Sequence, residues 1–96
     1  MSEIRTTATF DRWLAAMKDR KALARINARI RRLMLGNPGD VKPVGNGVSE
    51  LRIDYGPGYR VYFVQRGTAM VVLLAGGDKR TQQQDIDKAI ALAEIL

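Results

Sequence analysis

Hydrophobic positions along the chain switch between a strand period and a helix period, and the switches divide it into elements. Glu3 to Thr7 is short and rich in β-branched residues, which suits an edge strand. Phe10, Trp13, Leu14 and Met17 then fall at i, i+3, i+4 and i+7, so one helix face carries all four, with Thr9 or Asp11 as the cap. Trp13 lies in this stripe and reads as a packing residue rather than a base stacker. Asp19 marks a break. From Arg20 to Leu35, Leu23, Ile26, Ile30, Leu33 and Met34 recur at helical spacing, and Gly36 followed by Pro38 ends the helix.

The run from Gly36 through Gly47 reads as a surface connection. It is no nucleotide loop, because GNPGDVKPVGNG lacks the Gly-Lys-Ser/Thr ending that phosphates and magnesium need. Val48 to Tyr55 alternates, placing Leu51, Ile53 and Tyr55 on one face and Glu50, Arg52 and Asp54 on a wet one. A Gly56-Pro57-Gly58 turn leads into a strand over Tyr59–Gln65, and Arg66-Gly67 makes a hairpin into a strand over Thr68–Ala75. AMVVLLA is apolar without interruption, which predicts a sheet-interior strand covered on both faces. The two long helices supply one cover, and the residues beyond Thr81 either shield part of the other face or leave it for a partner. Gly76-Gly77 ends this strand. Thr81 with Gln84 forms a capping-box pattern for a last helix bearing Ile86, Ala89, Ile90, Ala93 and Leu96. The predicted order is β-α-α-β-β-β-α: one α+β domain over residues 1–96, a mainly antiparallel sheet with helices packed on it.

Composition narrows the chemistry. The formal charge is +6, and residues 1–36 hold nine Lys/Arg against three Asp/Glu, whereas residues 37–96 hold seven of each. Most of the excess follows one helix face through Lys18, Lys21, Arg25, Arg29 and Arg32. Such a stripe suits an RNA backbone or an acidic partner, the alternative being a solvated face of one sign. Without interleaved aromatics the contact is electrostatic rather than base-reading. The chain has neither cysteine nor histidine, which removes thiolate, disulfide and imidazole chemistry and leaves Asp, Glu, Lys, Arg and Tyr as reactive groups. MSEIRTTATF has no apolar core of signal-peptide length and no window approaches a membrane span, so a cytoplasmic location without membrane contact is expected.

Two runs, ELRIDYGPGYRVYF and GGDKRTQQQDIDKA, carry a resemblance to the RelE/ParE superfamily of bacterial toxins, and within it to the HigB-like addiction module killer proteins. The resemblance implies a toxin neutralised by a cognate antitoxin, whose RelE-type relatives cut messenger RNA in the ribosomal A site without a cofactor. In that family a 2′-hydroxyl attacks the adjacent phosphate in a site built of basic residues. Carried over by position, Arg60 after Gly-Tyr is the phosphate binder and transition-state clamp, and Arg80 after Lys79 serves the leaving-group side. Arg52 stands where relatives carry a strand lysine. The tyrosine of the C-terminal helix in RelE toxins falls at Ile86, so Asp85 beside it is the candidate general base, with Tyr59 the candidate stacker. Lys79, Arg25, Arg29 and Arg32 complete the implied RNA-facing set. Plainer roles stand beside these: Asp85 as a charge at a helix N-terminus, and Arg60 as a partner of Asp54 or Glu50 across the hairpin. Two other functions share the fold, a ParE-like toxin that poisons DNA gyrase by binding and an inactive homologue that only binds antitoxin.

Overall fold

A computed structural model gives the structure of residues 3–96. Strands β1 (Glu3–Thr6), β2 (Val41–Gly45), β3 (Val48–Arg52), β4 (Arg60–Arg66) and β5 (Met70–Gly77) form one sheet in the order β1-β5-β4-β3-β2. Helices α1 (Ala8–Ala15) and α2 (Arg20–Met34) lie between β1 and β2 in the chain, and α3 (Gln82–Glu94) closes it. The β1–β5 pair is parallel and the other pairs are antiparallel, an α+β arrangement consistent with a RelE-like fold. Among the described residues no helix is long and apolar enough to cross a membrane.

The continuous apolar run of β5 is explained by its position. It pairs on both sides, and its side chains alternate between two cores. Val71 and Leu73 join Phe10, Ile26, Ile30, Leu33, Leu51, Ile53, Val61 and Phe63 under α1 and α2. Val72, Leu74 and Ala75 join Val48, Tyr62 and Val64 under Ala89 and Ala93 of α3. A bulge opposite the Tyr62/Phe63 step leaves Leu74 without a partner on β4, which is why Leu74 and Ala75 serve the same core. Small alanines on the inner face of α3 let that helix lie close to the sheet.

Several local expectations are corrected. The stretch after Gly39 is not an open connection but contains β2, joined to β3 by Asn46-Gly47 with both residues at positive φ, 54° and 80°. That pair is the type I′ hairpin signal, and Pro43 is tolerated because β2 is an edge. Thr7, not Thr9 or Asp11, caps α1: its extended backbone lets the hydroxyl accept from Phe10 N at 3.0 Å while donating to Leu74 O at 2.6 Å. Asp19 is the cap of α2, accepting from Lys21 N and Ala22 N. The Thr81–Gln84 capping box does not form. Asp78 instead accepts from Arg80 N at 2.8 Å to open a 3₁₀ turn at Lys79–Thr81, and the Thr81 hydroxyl donates to Asp85 at 2.6 Å.

As expected, Gly76-Gly77 ends β5, both glycines being its last two strand residues. Close approach explains them, since a Cβ on Gly76 would enter the Trp13 ring and one on Gly77 would enter the Asp85 carboxylate. Trp13 packs on the core between Phe10 and Tyr59, with ring centroids 5.9 and 6.4 Å away. Gly76→Ala is therefore expected to destabilise the protein by about 1–3 kcal/mol, as overpacked sites do, and to change Trp13 fluorescence. A melt matching the wild type, with unchanged emission, would show that the ring is not seated on this strand.

Candidate functional site

The strand register brings the key side chains together. Arg52 on β3 lies directly opposite Arg60 on β4, and Glu50 lies opposite Tyr62, all on the face that α3 covers. Like charges opposite each other across a ladder repel. Here the repulsion is answered by Glu50, which is 0 % exposed. Its Oε1 accepts from Arg52 Nε at 2.9 Å and stands 3.6 Å from Arg60 Nε. Its Oε2 accepts from Tyr62 Oη at 3.2 Å and from Gln82 Nε2 at 2.8 Å, which ties the start of α3 to the sheet. Burial pushes the Glu50 carboxyl up, but the hydrogen bonds from Arg52, Gln82 and Tyr62 and the charge of Arg60 together outweigh it and hold the carboxyl below its ordinary range. Burial, together with the Glu50 charge, pushes the Tyr62 hydroxyl well above its usual value.

This corrects the expectation of a wet face at Glu50 and Arg52. The alternation was real, but the far face is roofed by α3, and only the Arg52 end of it reaches solvent. There a cleft of about 280 Å³ is lined by Arg52, Arg60 and Lys79 together with Asp40, Ile53, Asp54, Tyr55, Gly56 and Gly58. Arg60 is only 7 % exposed yet lines this cleft. The Lys79 stem lies over Gly58, where a Cβ would stand 2.9 Å from its carbons.

The remaining expected residues are placed differently. Arg80 sits on the 3₁₀ turn beside Lys79, its side chain 81 % exposed and its guanidinium bound to Asp78 at 2.8 Å; it does not line the cleft. The Arg80 hydrogen bond holds the Asp78 carboxyl below its ordinary value. Asp85 is buried against Gly77, its carboxylate engaged by Thr81, and it does not line the cleft either. Tyr59 is half-buried with its ring against Trp13. On α2, Arg25 lies over the Tyr55 ring at 4.7 Å. Arg29 is turned inward: it donates to the carbonyls of Arg52, Pro38 (2.8 Å) and Asp40 (3.3 Å), fastening the α2–β2 connection to the sheet. Burial, with neighbouring Arg32, lowers its pKa. Arg25, Arg29 and Arg32 line a second groove that shares Ile53 and Asp54 with the cleft.

Residues 12–96 match the family described as Phage derived protein Gp49-like (DUF891). The chain belongs to the Gp49-like family. This is a RelE-like family of addiction-module toxins, which suggests an antitoxin partner. An uncharacterized protein of Haemophilus influenzae is similar, 54% identical over 94 residues, which cover 98% of this chain and 95% of that one. In this Gp49-like chain the residue that sequence reasoning undervalued is Glu50, which entered as a wet-face residue and as one of two ion-pair partners for Arg60. Its signal lay in the two-residue spacing of Glu50-x-Arg52 and Arg60-x-Tyr62 on consecutive strands, which puts all four side chains on one face.

The depressed Glu50 carboxyl has a consequence for stability. Its folded pKa lies below the unfolded value, so the unfolded chain binds the extra proton. The stabilisation is present above the ordinary carboxylate pKa of about 4.3 and fades as pH falls through the lower folded value. Glu50→Gln should flatten this acid branch of the thermal-melt profile relative to wild type, with Asp78 leaving a residual slope. Identical acid branches would show that Glu50 is not held ionised by its neighbours.

Proposed function

We propose that this chain is the toxin of a type II toxin-antitoxin module and acts in the cytoplasm as an endonuclease on messenger RNA, using the ribosome to align its substrate. The observation that supports this most is the convergence of Arg52, Arg60 and Lys79 on one cleft at the end of the sheet. In the proposed reaction the 2′-oxygen attacks the adjacent phosphorus, the bond to the 5′-oxygen of the next nucleotide breaks, and a 2′,3′-cyclic phosphate and a 5′-hydroxyl result. Arg52 and Arg60 hold the phosphate and stabilise the charge that builds on it, and Lys79 draws the backbone in. Arg80, on the adjoining turn, serves the leaving side once RNA competes with Asp78 for its guanidinium.

A guanidinium stays charged and takes no proton from the 2′-hydroxyl. In this reading neither buried acid takes that part: Glu50 is bound by Arg52, Tyr62 and Gln82, and Asp85, the expected base, does not line the cleft. The proton is accepted by a group outside the arginine set, which fits a toxin whose site is completed on the ribosome.

Induction of the chain without its antitoxin should arrest growth and create new 5′-hydroxyl ends within codons. Arg60→Ala should lower cleavage by about 10²-fold or more, the loss typical of removing one oriented charge donor, and Arg52→Ala and Arg80→Ala by less. Full toxicity with intact transcripts would reject the reading; accompanying supercoiling defects would then point to a gyrase-binding toxin, and absence of toxicity to an antitoxin-binding subunit.

A further inference from the structure

Glu50 takes no part in the reaction outlined above, yet it is fully buried beside the two arginines that do. Its oxygens divide their partners. Oε2 faces Tyr62 and Gln82, while Oε1 faces the Nε atoms of Arg52 and Arg60 at 2.9 and 3.6 Å. Glu50 thus approaches both guanidiniums from the Nε edge, with a hydrogen bond to Arg52 and, at Arg60, an ion pair in which the buried Nε has no hydrogen-bond partner among the described residues. A guanidinium held there keeps its Nη1/Nη2 end for a second, bidentate partner, and that end matches two oxygens of a phosphate. Among the described residues neither Nη of Arg52 bonds another group, and the Arg60 Nη1 reaches only Tyr59 O, at 3.5 Å. A purely structural ion pair would be better built with one arginine. Two arginines, cross-strand neighbours, share this one carboxylate, and Asp40, whose charge acts on Arg52, and Asp54 are the other acids that line the cleft.

We propose that Glu50 is the positioning residue of a two-arginine phosphate clamp, hydrogen-bonded to Arg52 Nε and ion-paired with Arg60 from its Nε side, so that their Nη ends together take one RNA phosphodiester. This rests on the RNA reading of the cleft and adds a residue and a geometry to it. It also makes a prediction of unusual sign. Glu50→Gln removes a negative charge beside an anion site, so if the carboxylate acted only through its charge, RNA would bind more tightly. A positioning role requires weaker binding.

The test uses the purified chain and a fluorescein-labelled single-stranded RNA carrying 2′-O-methyl groups, which cannot be cut. Anisotropy is followed across a salt series for wild type, Glu50→Gln, the Arg52→Ala/Arg60→Ala pair and the triple variant, each checked by thermal melt. Glu50→Gln should weaken binding about tenfold, the scale of loss when the support of a ligating group is removed, and should add nothing in the background lacking both arginines. The salt slope should fall by about one for each phosphate that the variant no longer neutralises. Unchanged or tighter binding by folded Glu50→Gln, or an equal loss in the arginine-free background, overturns the proposal while the RNA reading stands on the arginine pair. Wild type without salt-dependent affinity overturns both. Should Glu50→Gln melt below the assay temperature, wild-type ¹⁵N side-chain spectra decide: RNA should shift the Nη signals of Arg52 and Arg60 and leave their Nε–H signals in place, and the reverse pattern contradicts the clamp.

Discussion

One buried carboxylate allows this fold to place two arginines side by side. Arg52 and Arg60 face each other across the β3–β4 ladder, an arrangement that repels in isolation, and Arg60 is almost wholly removed from water. Desolvating a guanidinium is costly unless an anion and further hydrogen bonds compensate. Glu50 provides the anion, 3.6 Å from the Arg60 Nε, which is buried with no hydrogen bond of its own among the described residues, and Tyr62 and Gln82 satisfy the second Glu50 oxygen. Breaking such a pair from one side typically costs about 3–5 kcal/mol, which makes the carboxylate as much a condition of the fold as of the site. Because Gln82 opens α3, the same carboxylate also sets where that helix begins over the sheet.

The rest of the architecture delivers these groups to one end of the sheet. β5 is apolar on both faces because helices cover both, and its last two residues are glycines because Trp13 presses on one face and Asp85 on the other. Arg29 fastens the α2–β2 connection, whose Asp40 lines the cleft, to the Arg52 carbonyl. Gly56 and Gly58 of the following turn also line the cleft, and Gly58 lies against the Lys79 stem. Cations thus converge from two strands and the 3₁₀ turn after β5, a placement that suits a charged backbone rather than a compact apolar ligand.

Most of the elements were legible in the sequence, because the apolar spacing of α1, α2 and β5 reflects packing that periodicity reports directly. Strand β2 was hidden by Pro43 and the flanking glycines, which usually mark loops, although Asn46-Gly47 announced the hairpin. The site was legible in its residue types and less so in its geometry. Alternation put Glu50, Arg52 and Asp54 on one face but could not show that α3 would roof it, so a residue buried at the centre of the site read as a solvated one. Arg29 and Asp85 illustrate the same gap. Periodicity and position suggested exposed or reactive groups, and tertiary contacts with three carbonyls and with Thr81 decided their surroundings. Gp49-like membership carries the toxin class.

The central claim is that a backbone phosphate seats between Arg52 and Arg60. A crystal structure of the chain with a short 2′-O-methylated single-stranded RNA tests it most directly. A phosphate with oxygens within hydrogen-bond distance of the Nη atoms of both arginines is the predicted result. RNA bound along Arg25 and Arg32 of α2, with no phosphate at the Arg52–Arg60 pair, would contradict it.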